Sequence, residues 1–111
     1  MDEQRLVSPE EAQRLLREGA LLLDVRNDDE WAEGRAPGAM HVALADLPDH
    51  VNDFDATRMI VCVCRSGGRS HRAALFLMEH GLTAANLDGG MLAWAEAGGP
   101  LESDGGEPTV A

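Results

Sequence analysis

Met59-Ile60-Val61-Cys62-Val63-Cys64-Arg65-Ser66-Gly67-Gly68-Arg69-Ser70 is the stretch that decides how this chain is read. An apolar run stops at a cysteine and gives way to arginine, serine and paired glycines, the pattern of a buried strand delivering a thiol into a loop. Directly after it, residues 70–80 have the composition and length of a helix. Cys64 is thereby placed just before a helix N-terminus, where unpaired backbone N–H groups and the positive end of the helix dipole face the sulfur. A free cysteine titrates at about 8.5, and a helix N-terminus with arginines beside it lowers that value and populates the nucleophilic thiolate. Cys64 is the candidate nucleophile.

The residues that follow narrow its chemistry. Gly67-Gly68 permits backbone conformations closed to other residues, so several N–H groups of the loop can turn inward as a nest for an anion. A cysteine phosphatase needs a cradle wide enough for a tetrahedral phosphate, with the spacing Cys-x5-Arg. Here Arg69 gives Cys-x4-Arg, and Ser70 occupies the phosphatase arginine position. The tighter ring suits a smaller centre, such as the outer sulfur of a persulfide. Arg65, Arg69 and Arg72 put three positive charges within eight residues. They form a cationic spot around the thiol, with Arg65 and Arg69 placed for anion contact.

Outward from this loop, strands and helices alternate. Ser8-Pro9-Glu10-Glu11 is a helix start, with a serine cap and proline at the first helical position, and Gly19 closes that helix. Leu21–Val25 reads as a buried strand, 27–34 as a brief helix, Met40–Ala43 as a short strand and 46–52 as another short helix. After the strand 59–63 and the helix 70–80 come a strand at Ala84–Leu87 and a helix over about 90–97. This is an α/β domain with a mostly parallel sheet and helices on both faces, spanning residues 8–102. Cys64 falls at the carboxyl end of a strand, where such sheets carry their sites. Residues 103–111 are polar and glycine-rich and read as a mobile tail.

At 111 residues the chain fits one domain with one core. No apolar run reaches the ~18–20 residues of a membrane-spanning helix, and Met1–Arg5 lacks the pattern of a signal peptide, so a soluble cytoplasmic protein is expected. Twenty acidic residues against nine basic ones give a net charge of −11, which opposes binding to nucleic acid or an anionic membrane. All nine basic residues are arginine; a high-salt cytoplasm and a GC-rich genome both fit that bias. Cys62 and Cys64 share one side of a strand, a poor geometry for a disulfide, and Cys62 reads as core packing. No cysteine or histidine spacing suggests a metal. His41, His50, His71 and His80 read as surface or packing residues, and Trp31 and Trp94 as core anchors. Asp24, Arg26 and Glu30 form a second group near the loop. Two roles stand open for these carboxylates: a surface ion pair, or a hold on a loop arginine.

At Cys64–Ser70 the chain resembles the single-domain rhodanese-like sulfurtransferase family, whose active loop reads Cys-Arg-Ser-Gly-x-Arg-Ser. Leu23-Asp24-Val25-Arg26, with Glu30, Trp31, Gly34 and Pro37-Gly38-Ala39, resembles the family's N-terminal signature. Leu87-Asp88-Gly89-Gly90-Met91-Leu92-Ala93-Trp94, with Gly98 and Pro100, resembles its C-terminal one. One departure is Gly34-Arg35-Ala36-Pro37 where the family has Gly-His-Ile-Pro. The resemblance implies sulfur transfer from a small anionic donor such as thiosulfate to a thiol or cyanide through a Cys64 persulfide. It assigns Arg65, Ser66, Gly67, Gly68, Arg69 and Ser70 to substrate binding and calls for no cofactor. A sulfur-carrying or sensing module, and an arsenate reductase or phosphatase on the same fold, are the alternatives.

Overall fold

Ser8 starts the first helix of the computed structural model, which describes residues 5–110. Its hydroxyl accepts from the Glu11 amide at 3.1 Å, and Pro9 opens the helix, needing no N–H partner there. The chain runs through β1 (Arg5–Val7), α1 (Pro9–Arg17), β2 (Leu21–Asp24), α2 (Asp28–Glu33) and β3 (Met40–His41). A 3₁₀ segment over Leu44–Asp53 leads to β4 (Ile60–Val63), α3 (Gly68–Glu79), β5 (Ala84–Leu87) and α4 (Gly90–Glu96). The strands form one sheet in the order β1-β5-β4-β2-β3, with every pair parallel.

Because side chains alternate along a strand, each of the central strands feeds two cores. On one face Leu23, Cys62 and Cys64 pack with Ala73, Ala74 and Leu77 of α3 and with Leu47 of the 3₁₀ segment. On the other, Leu22, Val61, Val63, Ala85 and Leu87 pack with Ala12 of α1 and with Met91 and Trp94 of α4. Leu77 is fully buried, so its truncation to alanine costs about 2–5 kcal/mol. This covered parallel sheet with helices on both faces is the architecture expected from the alternation of elements.

Four details depart from the sequence reading. The helix expected over 46–52 is a 3₁₀ segment: Asp46 N–H bonds the Ala43 carbonyl three residues back, and Pro48 has no N–H to continue an α-helical ladder. Helix α3 begins at Gly68, two residues before the expected start, so Arg69 and Ser70 belong to its first turn. At the N-terminal side, β1 adds an edge strand on β5. At the other end the polar stretch lies back on α2, with Asp104 N–H on the Ala32 carbonyl at 3.0 Å and Thr109 N–H on the Glu33 carbonyl at 2.9 Å. Gly34 leaves room for that return, since a Cβ there would sit 2.1 Å from the Thr109 carbonyl oxygen. Packing therefore extends beyond 8–102 at both ends. Most of the N-terminal stretch read for a signal peptide, residues 1–4, lies outside the described residues, as does Ala111. No helix among the described residues is long and apolar enough to cross a membrane.

Candidate active site

Strand β4 ends at Val63 between β5 and β2, and the next residue is Cys64. The backbone then turns through Gly67, whose φ of +122° is one that residues with a side chain rarely adopt. That turn brings Gly67 N–H to within 3.1 Å of Cys64 Sγ and places the Ser70 hydroxyl 3.3 Å from it. Burial pushes the Cys64 thiol up. The Ser70 hydroxyl and the amides of Ser70, Gly67 and Ser66 together outweigh it by stabilising the thiolate, and the net shift is downward. Cys62, one turn of the pleat away, has no such ring of donors and is pushed up to about 12 by burial and by its neighbour thiol.

The cradle is held from behind by the start of α4. Met91 N–H donates to the Cys64 carbonyl at 2.8 Å and Leu92 N–H to the Arg65 carbonyl at 3.1 Å. These are first-turn amides with no partner inside their own helix. They take up the carbonyl side of the loop and leave its N–H side for the sulfur. Gly90 permits the contact: its φ is +63°, and a Cβ there would lie 2.4 Å from the Arg65 carbonyl oxygen. The C-terminal Gly89-Gly90 motif therefore shapes the loop that holds Cys64.

The two carboxylates near the loop divide their roles. Glu30 takes Arg69 in a two-point ion pair, Nη1–Oε1 at 2.7 Å and Nη2–Oε2 at 2.9 Å. This hydrogen bond with Arg69 depresses the Glu30 carboxyl to about 2, against the opposing effect of partial burial; the Asn27 amide that Glu30 caps helps. Arg69, expected at the anion, is thus turned to Glu30 and fastens the first turn of α3 to α2. Asp24 does not reach a loop arginine. It binds Arg26 instead, with Arg26 Nη2 on Oδ2 at 2.7 Å and Nε on Oδ1 at 2.9 Å. The pair is fully buried rather than on the surface, and Arg26 Nη2 also donates to the Gly34 carbonyl at 2.7 Å. Arg26 Nη1 is buried without a hydrogen-bond partner among the described residues. Arg65 and Ser66 are exposed at the mouth of the loop.

The two tryptophans also part ways. Trp94 is a core anchor, 2% exposed, with its indole N–H on the Pro100 carbonyl. Trp31 is half-buried, stacked on His41 at 4.7 Å between ring centroids, with the Arg35 guanidinium 4.9 Å from its ring. Short helix α2 lacks the depth to bury an indole, so the ring is covered by planar polar neighbours instead. His41 donates from Nε2 to the Arg26 carbonyl at 2.8 Å, which joins this stack to the buried pair.

One site residue escaped the sequence reading. Asn86, 4% exposed in β5, sits at 2.6 Å from Ser70 Oγ and donates to the Gly67 carbonyl at 3.2 Å. The available signal was a polar amide inside an otherwise apolar strand, since a buried amide there requires partners.

Comparison with known proteins agrees with this geometry. The family model for the rhodanese-like domain matches residues 8–97. The chain belongs to that family. It is 42% identical over 73 residues to the putative sulfurtransferase YtwF of Bacillus subtilis, covering 66% of this chain and 71% of that protein. Over 95 residues it is 33% identical to the thiosulfate sulfurtransferase GlpE of Pseudomonas fluorescens, covering 85% of this chain and 87% of that one. Among solved structures, a rhodanese-like domain protein from Staphylococcus aureus superposes with a TM-score of 0.80 at 31% identity, covering 90% of this chain and all of the other.

Proposed function

We propose that this protein is a thiosulfate-type sulfurtransferase working through a persulfide on Cys64. The observation that carries the reading is a buried thiol, poised toward thiolate, inside a ring of N–H and O–H donors with Cys-x4-Arg spacing. The thiolate attacks the outer sulfur of thiosulfate. A new S–S bond forms, the S–S bond of the donor breaks, and sulfite leaves with its electron pair. An acceptor then attacks the outer sulfur of the persulfide: cyanide carbon gives thiocyanate, and a thiolate gives a new persulfide. Either returns the Cys64 thiolate, so the kinetics are ping-pong.

Donors of the loop do the electrostatic work at both steps. The amides of Ser66, Gly67 and Ser70 face the place where sulfur carries charge, and they need no reorganisation as that charge moves. Arg65 at the mouth meets the anionic donor, while Arg69 keeps the ring closed through Glu30. The free thiols Cys62 and Cys64 suit a reducing compartment, and the cytoplasm is the proposed location. The test is thiocyanate formation from thiosulfate and cyanide, with parallel lines in double-reciprocal plots. Cys64→Ser should abolish it with the fold intact, and a Cys64→Ser protein that keeps most of its activity would overturn the assignment.

A further inference from the structure

Ser70 has one hydroxyl proton and three acceptors around it. Asn86 Oδ1 is 2.6 Å from its oxygen, and the Gly67 carbonyl and Cys64 Sγ are each 3.3 Å away. The orientation of the Asn86 amide follows from its other partner. Its Nδ2 faces the Gly67 carbonyl, and the reversed amide would set two carbonyl oxygens against each other. Oδ1 is therefore the atom turned to Ser70, and the hydroxyl donates to it in the resting thiol, the shortest of the three contacts. Register fixes this geometry from below: Asn86 pairs with Cys62 in the parallel ladder, so its side chain rises on the same face as the two cysteines, under the start of α3.

Once the sulfur is anionic, the preference changes. A hydrogen bond to a charged sulfur is stronger than one to a neutral amide, so the proton can turn to Sγ by rotation about the Ser70 C–O bond with no heavy atom moving. We propose that Asn86 is a positioning residue for sulfur transfer that acts through Ser70, fixing its hydroxyl beside Cys64 and holding its proton until the sulfur carries charge. This rests on the reading of Cys64 as the sulfur-accepting nucleophile. Nothing in the three sequence signatures marks this residue, which enters the site from β5.

The test is the pH dependence of Cys64 alkylation by iodoacetamide, which requires no sulfur donor. Asn86→Asp keeps the side-chain shape but replaces a neutral acceptor with an anion that keeps the Ser70 proton and opposes the thiolate. Its alkylation midpoint should move alkaline by about one unit or more, a tenfold loss of thiolate near neutral pH. Raising the pH should restore both alkylation and thiocyanate formation. In a Ser70→Ala background the same substitution should shift the midpoint by less than half as much. Arg65, the Glu30–Arg69 and Asp24–Arg26 pairs and the Cys62 thiol are present in both backgrounds, so their fields cancel in the comparison. Equal shifts with and without Ser70 would overturn the proposal, as would no shift at all. If Asn86→Asp does not fold, Asn86→Ala decides between the same outcomes: coupling to Ser70→Ala supports the role, and additive effects or an unchanged midpoint contradict it. Should alkylation behave as expected while the unaltered protein makes no thiocyanate, the sulfur-transfer reading fails, and what stands is the narrower claim that Asn86 sets the Cys64 thiolate through Ser70.

Discussion

Cys62 and Cys64 are two residues apart on the same face of the sheet and both closed to solvent, at 0% and 1% exposure, yet their thiols move in opposite directions. Burial opposes the thiolate in both, more heavily at Cys62, which lies deeper under α3. Cys62 is flanked by strand amides already used in the ladder between β4, β2 and β5, so nothing offsets its burial and it rises to about 12. At Cys64 the ladder has ended. The amides of Ser66, Gly67 and Ser70 face the sulfur after the turn at Gly67, and α4 occupies the Cys64 and Arg65 carbonyls on the other side. The difference between the two thiols follows from where the strand stops, because there the backbone has donors to give.

The largest effect should come from exchanging the roles of the two cysteines. Cys64→Ser is expected to reduce thiocyanate production to background, whereas Cys62→Ala should keep kcat within about threefold and lower stability by about 1–2 kcal/mol as a small core truncation. Denaturant unfolding and steady-state kinetics on both variants read this directly. Next in size, Gly90→Ala attacks the support behind the loop. Positive φ and a clash with the Arg65 carbonyl should together cost about 3 kcal/mol or more and raise the Cys64 alkylation midpoint, as the loop's amides lose their aim.

A smaller effect belongs to Glu30. Its carboxyl is held at about 2 against an ordinary 4.5, so the ion pair with Arg69 contributes stability that is complete above pH 4.5 and lost as pH falls toward 2. The full shift corresponds to at most about 3 kcal/mol, and less after solvent screening. Glu30→Gln should therefore flatten the acid limb of the stability curve and lower kcat/KM for thiosulfate about tenfold, or roughly 1.4 kcal/mol. The smallest expected change separates local from global charge. Near 0.15 M salt, where the Debye length is about 8 Å, Arg65→Ala should lose up to tenfold in kcat/KM and Arg72→Ala less than threefold. Equal, small losses at several salt concentrations would mean that the N–H ring alone binds the donor.

How far the sequence could be read follows from where its signals lie. The strand, loop and helix from 59 to 80 are contiguous, and so are the Ser8 cap and the Gly67 turn, so local chemistry specified them. Arg5–Val7 forms a strand only because β5 stands beside it; three residues with Leu6 largely exposed carry no alternation to read. Arg69 and Glu30 are 39 residues apart, and the pairing of Asp24 with Arg26 rather than with the loop is decided by side-chain direction at the end of β2. Asn86 needed the register of β5 against β4. The fold of the tail onto α2 depends on the missing side chain of Gly34, visible only once the two meet.

The most direct test of the central claim is intact-mass and peptide mass spectrometry after treatment with thiosulfate. The account predicts a gain of one sulfur atom, located on Cys64 and removed by cyanide, with Cys62 unmodified. A protein that gains no sulfur, or that carries it on Cys62, would contradict it.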